Sequence, residues 1–144
     1  MKKVIVLFVL ILVSSTIVSA QEWQTDISEA HKKAKERNQN IVLVFSGSDW
    51  CASCIRLERE ILSSDEFKKY AKENVVLLRA DFPKKQKNKL PKEQQEKNNK
   101  LALKYNQEGH FPLVVVLNSD MKVLGITGYN SVSPAEYIKK LSSF

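Results

Sequence analysis

Ile41-Val42-Leu43-Val44-Phe45-Ser46-Gly47-Ser48-Asp49-Trp50-Cys51-Ala52-Ser53-Cys54 is the stretch on which the reading of this chain turns. It opens with a continuous apolar, largely β-branched run, the pattern of a strand buried on both faces. The run breaks at Ser46-Gly47-Ser48-Asp49, and two cysteines follow at once. From Ala52 onward Cys54, Leu57 and Ile61 fall one helical turn apart, so the cysteines stand where a buried strand hands over to a helix. Free N–H groups and the dipole at a helix start favour a thiolate and lower its pKa. Cys51 is therefore expected to be the more exposed, attacking thiolate. Cys54, brought back over it within one turn, is expected to be the buried resolving thiol.

These are the chain's only cysteines. As a structural staple the pair does little, because a disulfide's stabilisation grows with the length of the loop it closes. Half of many zinc sites has the same spacing, but a zinc site needs two further ligands, and His31 and His110 are the only histidines. The pair points to chemistry.

Outward from the cysteines the elements alternate. Asp26 can cap a helix that runs to Asn38 with Ile27, Ala30 and Ala34 on one face. His31 lies beside that face as a satisfied or exposed histidine. Ser63-Ser64-Asp65 can end the helix after the cysteines and cap a second one carrying Phe67, Tyr70 and Ala71. Val75 to Leu78, running on to Asp81, is a second buried strand. Pro83 to Pro91 has loop composition, and Pro91 suits the first turn of a helix through Leu101 and Tyr105. Leu113 to Leu117 is the third buried strand, and Lys122 to Ile126 returns as a hairpin. Ser133-Pro134 starts a last helix with Tyr137, Ile138 and Leu141 inward. The order predicts an α/β, three-layer α/β/α sandwich whose strands pair parallel through crossovers, with a C-terminal antiparallel hairpin making the sheet mixed.

The chain's 144 residues suit one domain. Residues 1–20 read as a signal peptide: a basic start at Lys2-Lys3, ten apolar residues from Val4 to Val13, and small residues at Val18 and Ala20. An uncleaved anchor is the alternative, although the run is shorter than the ~20 apolar residues a membrane helix needs. The mature domain is then residues 21–144, exported and not membrane-spanning once processed. A periplasm is the expected compartment, with secretion or the cell surface as alternatives. Loss of Lys2 and Lys3 leaves 21 basic against 16 acidic residues, or +5. That whole excess sits between Lys84 and Lys100, where seven lysines face only Glu93 and Glu96. The stretch has no arginine and no interleaved aromatic, so a nucleic-acid partner is not expected. It reads either as a solvated face or as a steering surface for an acidic partner or an anionic surface.

Trp-Cys-x-x-Cys after a buried strand, with a proline at the start of a later strand, resembles the thioredoxin superfamily. Trp23, Ala30 and Ala34, the Phe45-Ser46-Gly47-Ser48 approach and Leu57-Glu58 are similar to exported thioredoxin-like domains, in particular the soluble reductase domains of bacterial disulfide-handling systems. The resemblance implies a cis proline at Pro112, with Phe111 presented beside the disulfide, and a substrate rim made of Trp50, Phe111 and Pro112. Two departures stand out. Val44 occupies the place of the family's buried acidic proton acceptor, which leaves Asp49 as a candidate replacement. His110 replaces a glycine two residues before the proline and becomes a candidate modulator of the cysteines.

The reading is an exported thiol–disulfide oxidoreductase of reductase or isomerase type acting on protein disulfides. Ala52-Ser53 offers neither a stiffening proline nor a histidine to stabilise a thiolate, so a strong oxidant is not expected. No cofactor or metal is called for, a membrane-bound electron donor is the expected redox partner, and a monomer is expected. The alternative is a soft-metal module in which Cys51, Cys54 and His110 hold copper. A structural role without redox turnover is a third reading.

Overall fold

The computed structural model describes residues 20–144; the leader expected over residues 1–20 therefore lies, but for Ala20, outside the described residues. The elements are β1 (Trp23–Gln24), α1 (Ile27–Arg37), β2 (Asn40–Ser46), α2 (Ala52–Leu57, continuing into a π-helical turn Glu58–Leu62), α3 (Asp65–Asn74), β3 (Val75–Asp81), α4 (Lys92–Tyr105), β4 (Leu113–Leu117), β5 (Val123–Thr127) and α5 (Pro134–Ser142). The caps follow the side chains that sequence places there. Asp26 accepts from Ser28 N, Ser64 accepts from Phe67 N, and Ser133 and Glu136 form a reciprocal capping box. Asn38 closes α1 in the left-handed region, at φ 49°, which asparagine tolerates.

Side chains alternate across β2, and that alternation makes the three layers. Val42 and Val44 face α2, α3 and α5 in a core with Leu57, Ile61, Phe67, Tyr137 and Leu141. Ile41, Leu43 and Phe45 face α1 and α4 with Ala30, Ala34 and Leu101. Each large side chain removed from water in this way contributes about 1.5–3 kcal/mol. His31 is satisfied, its Nε2 lying 3.0 Å from the carbonyl oxygen of Ser119.

The sheet is mixed, in the order β1-β3-β2-β4-β5. Two features differ from the sequence expectation. A fifth strand, β1, pairs parallel with β3 through Trp23–Leu77 and Gln24–Leu78. Two residues carry no strand pattern of their own; the strand exists because β3 offers an open edge. The second difference is direction. β3 is parallel to β2, but β4 runs antiparallel to β2, pairing Leu113 with Phe45 and Leu117 with Ile41, so the antiparallel region is two strands wide and not just the terminal hairpin. The cause lies in α4, which does not carry the chain back to the opposite end of the sheet. Its Asn98 donates to the carbonyl oxygen of Asp81 at 2.8 Å, at the end of β3, and the segment after it brings Phe111 against Phe82. The chain re-enters the sheet at the end from which it left, and β4 must run the other way.

Candidate active site

The C-terminal end of β2, the central strand, delivers Ser46 to the turn that carries the cysteines. Cys51 N donates to the carbonyl oxygen of Gly47 at 2.9 Å, closing that turn. Cys51 is the N-cap of α2 in extended conformation, and its Sγ accepts from Cys54 N at 3.2 Å. The sulfur thus does what a capping oxygen does, and a negative charge on it would be stabilised by the same amide and the helix dipole. The two sulfurs are joined in a disulfide with the Cα atoms 5.2 Å apart, so the structure holds the oxidised form. The contrast in exposure is slight, 6 % for Cys51 against 3 % for Cys54. Their surroundings differ more. Cys54 Sγ accepts from Gly47 N at 3.4 Å and faces inward, whereas Ser53 Oγ approaches Cys51 Sγ at 3.6 Å.

An aromatic rim borders the pair. Trp50 and Phe111 meet edge to face with ring centroids 5.4 Å apart, and Phe82 meets Phe111 in the same manner at 5.5 Å. The Phe111–Pro112 peptide bond is cis. The pairing of Leu113 with Phe45 sets Pro112 one step further along, abreast of Ser46, at the strand end from which the cysteine turn departs. Trp50 lies across Gly47, where an added Cβ would stand 2.4 Å from the indole.

Beside Cys54 is an open cleft of about 400 Å³, lined by Ser46, Ser48, Cys54, Glu58 and Arg79 among others. Glu58 stands one turn beyond Cys54 and accepts from Arg79 at 2.5 Å and from Ser63 Oγ at 3.0 Å. Arg79 in turn lies over the Trp23 ring, 4.0 Å from its centroid, and its buried Nε has no hydrogen-bond partner among the described residues. Val44, at the family's acidic position, is apolar core.

The two candidate modulators are placed elsewhere than expected. Asp49 does not replace the missing acid beside Cys54. Its carboxylate accepts from Lys84 N at 2.9 Å, Lys85 N at 3.0 Å and Asn88 Nδ2 at 2.9 Å, and the Lys84 amide followed by Asn88 holds its pKa below the ordinary carboxylate value. His110 turns its ring to Glu108, with Nε2 2.6 Å from the carboxylate, and its side chain is 64 % exposed. Its backbone is what the site uses: Asn106 clamps the His110 N–H and carbonyl, each at 2.9 Å. Among the described residues the sulfurs' hydrogen-bond partners are Gly47 N, Cys54 N and Ser53 Oγ, so neither modulator touches them. No group of three His, Cys, Asp or Glu side chains gathers there either, which leaves the copper alternative without its third donor among the described residues.

Phe82 and Glu58 were not singled out as site residues from sequence. The signals existed. Phe82 follows a strand parallel to β2, and so sits at the cysteine end of the sheet. Glu58 is four residues beyond Cys54, on the same helix face.

A family model described as thioredoxin-like matches residues 22–119. The disulfide bond reductase DsbH of Chlamydia pneumoniae is 37% identical over 122 residues, which is 85% of this chain and 71% of that protein. A solved DsbH oxidoreductase structure superposes with a TM-score of 0.79 at 34% identity, covering 87% of this chain and 84% of the other. The reduced C-terminal domain of Neisseria meningitidis DsbD superposes with a TM-score of 0.56 at 23% identity over 81% of this chain and 90% of its own, a likeness of fold.

Proposed function

The chain belongs to the thioredoxin-like family and is a thiol–disulfide oxidoreductase; from that premise we propose that it works as an exported protein-disulfide reductase, with Cys51 attacking and Cys54 resolving. The observation that carries the assignment of roles is the N-cap position of Cys51, whose Sγ accepts the Cys54 amide at 3.2 Å. The thiolate that forms there in the reduced protein is stabilised before substrate arrives.

In the reductive direction the Cys51 thiolate attacks one sulfur of a substrate disulfide. A mixed disulfide forms and the first substrate thiolate leaves. Cys54 then loses its proton and attacks Cys51 Sγ, which releases the second substrate thiolate and regenerates the Cys51–Cys54 disulfide. Two electrons pass to the substrate, and a membrane-bound dithiol donor restores them. Trp50, Phe111 and Pro112, with Phe82 behind them, form the apolar rim along which an extended substrate segment lies. Glu58 takes up the Cys54 proton: it lines the open cleft of about 400 Å³ that Cys54 lines, where solvent water can bridge them. Arg79 holds that carboxylate in place. Export is supported by the leader pattern of residues 1–20 and the periplasm by a bacterial disulfide reductase as a 37% identical relative.

The test is twofold. Insulin reduction should require both cysteines, and Cys54→Ser should trap substrate on Cys51 while Cys51→Ser traps none. Equilibration with thiol buffers should give a potential below about −200 mV, in the reducing half of the family's range. A value near about −120 mV, or trapping on Cys54, overturns the reading.

A further inference from the structure

The lysine-rich stretch plays no part in the reaction above, yet the fold ties it to the site. The loop from Phe82 to Pro91 is fastened to the residues before Cys51. Trp50 Nε1 donates to the carbonyl oxygen of Phe82 at 2.7 Å, and the Asp49 carboxylate binds the amides of Lys84 and Lys85 and the side chain of Asn88. The Lys84 ammonium lies 3.8 Å from the centroid of the Trp50 ring. A loop free to wander would spread its charge over the surface. This one is held against the rim.

Its charge is also largely uncompensated, with Asp49 offsetting about one lysine. Lys84, Lys85, Lys87 and Lys89 are exposed, and among the described residues none has a carboxylate within ion-pair distance. Residues 1–19 contain no acid to supply one. Further along, Lys92 is paired with Glu96, and Lys97 with Asp26 and Glu93. The nearest carboxylates are committed, Asp49 to the loop amides and Asp81 to Ser48 N and Oγ. Lys100, on α4, is unpaired too among the described residues, but these four lie on the loop that Trp50 and Asp49 hold beside the cysteine turn.

Resting on the oxidoreductase reading, we propose that this loop is a docking lip that selects protein substrates whose disulfide is flanked by an acidic segment. The aromatic rim takes the residues next to the substrate cysteine, and the lip takes aspartates and glutamates further along the same extended chain. An anionic membrane fits less well, because lipid pressed against the lip would cover Trp50 and the entrance to Cys51. Nucleic acid fits less well too, since the stretch has no arginine and the neighbouring rings are packed on one another. Complementary charge of this kind raises association rates by roughly ten-fold or more at low ionic strength and fades as salt rises.

The experiment measures kcat/KM of the full mature chain on three disulfide peptides that differ only in acidic, neutral or lysine-rich flanks. The acidic peptide should be preferred over the neutral one about tenfold at low salt, and the basic one disfavoured. Lys85→Gln/Lys87→Gln/Lys89→Gln, which leaves Lys84 on Trp50, should reduce the acidic preference to about twofold, as should salt near 0.3 M in the unaltered protein. Each ratio is internal to one protein, and the salt arm needs no variant. Equal kcat/KM for acidic and neutral peptides, or a preference that survives both the variant and salt, overturns the lip. A cysteine-free acidic peptide, followed through tryptophan fluorescence, reads the lip without turnover. Turnover of uncharged 2-hydroxyethyl disulfide by the unaltered protein tests the redox reading separately. Lysine-dependent binding to phosphatidylserine vesicles without any peptide preference assigns the lip to a membrane and overturns the proposal.

Discussion

Trp50 donates its indole N–H to the carbonyl oxygen of Phe82 at 2.7 Å, joining the residue before the first cysteine to the residue after β3. The ring reaches that carbonyl because Gly47 leaves it room; a Cβ there would fall 2.4 Å from the indole. Gly47→Ala should therefore displace Trp50 and break the bond. We expect a loss of about 1–3 kcal/mol, in the range for an overpacked site. Chemical denaturation gives the stability, and a red-shifted Trp50 emission marks the displacement; an unchanged spectrum and midpoint would count against this packing.

Asp49→Ala should release the loop without altering the cysteines. Hydrogen exchange at the Lys84 and Lys85 amides should speed up by about tenfold, since each loses a charged acceptor. The sign with pH follows from the lowered carboxylate pKa. A depressed value in the folded state means the latch is complete at neutral pH and is lost as pH falls through that lowered value. Expressed as protection relative to the intrinsic exchange rate at each pH, the unaltered protein should thus lose the same protection only in acid.

With Glu58 as proton acceptor, Glu58→Gln should slow the resolving step. The amide keeps the size of the side chain but cannot take a proton. The mixed disulfide on Cys51 should persist about 10²-fold longer near neutral pH. The defect should shrink above the ordinary thiol pKa of about 8.5, where Cys54 ionises unaided. A defect of equal size at every pH would mark Glu58 as merely structural.

For His110 the ring's contact with Glu108 and its exposure lead to a plain expectation. His110→Gly should leave the thiolate absorbance titration of Cys51 superimposable on that of the unaltered protein. A shifted curve would bring the imidazole back into the mechanism.

Much of this was legible in the sequence for identifiable reasons. β2 announces itself because five consecutive apolar residues have both faces to bury, and α1, α3 and α5 carry their caps in Asp26, Ser64 and Ser133. The cysteine pair is legible because its chemistry depends on local position at a helix start. What stayed hidden depends on contacts distant in sequence. β1 exists through Leu77 and Leu78, and the direction of β4 depends on the path of α4. The carboxylate of Asp49 found backbone amides 35 and 36 residues away, which no spacing rule around the cysteines could indicate. Glu58 was in view, but its partnership with Arg79 across 21 residues was not.

The fastening of the loop has an evolutionary consequence. Three of its anchors are main-chain groups, the carbonyl of Phe82 and the amides of Lys84 and Lys85, held by Trp50 and Asp49. Main-chain groups are supplied equally by any residue other than proline. Mutations that rewrite the outward-facing side chains of the loop therefore leave its seat intact, and mutations that tune the cysteines need not disturb its charge. Choice of client and chemistry at the sulfurs can drift along separate lines of descent, with a single aspartate and a single tryptophan as the seam between them.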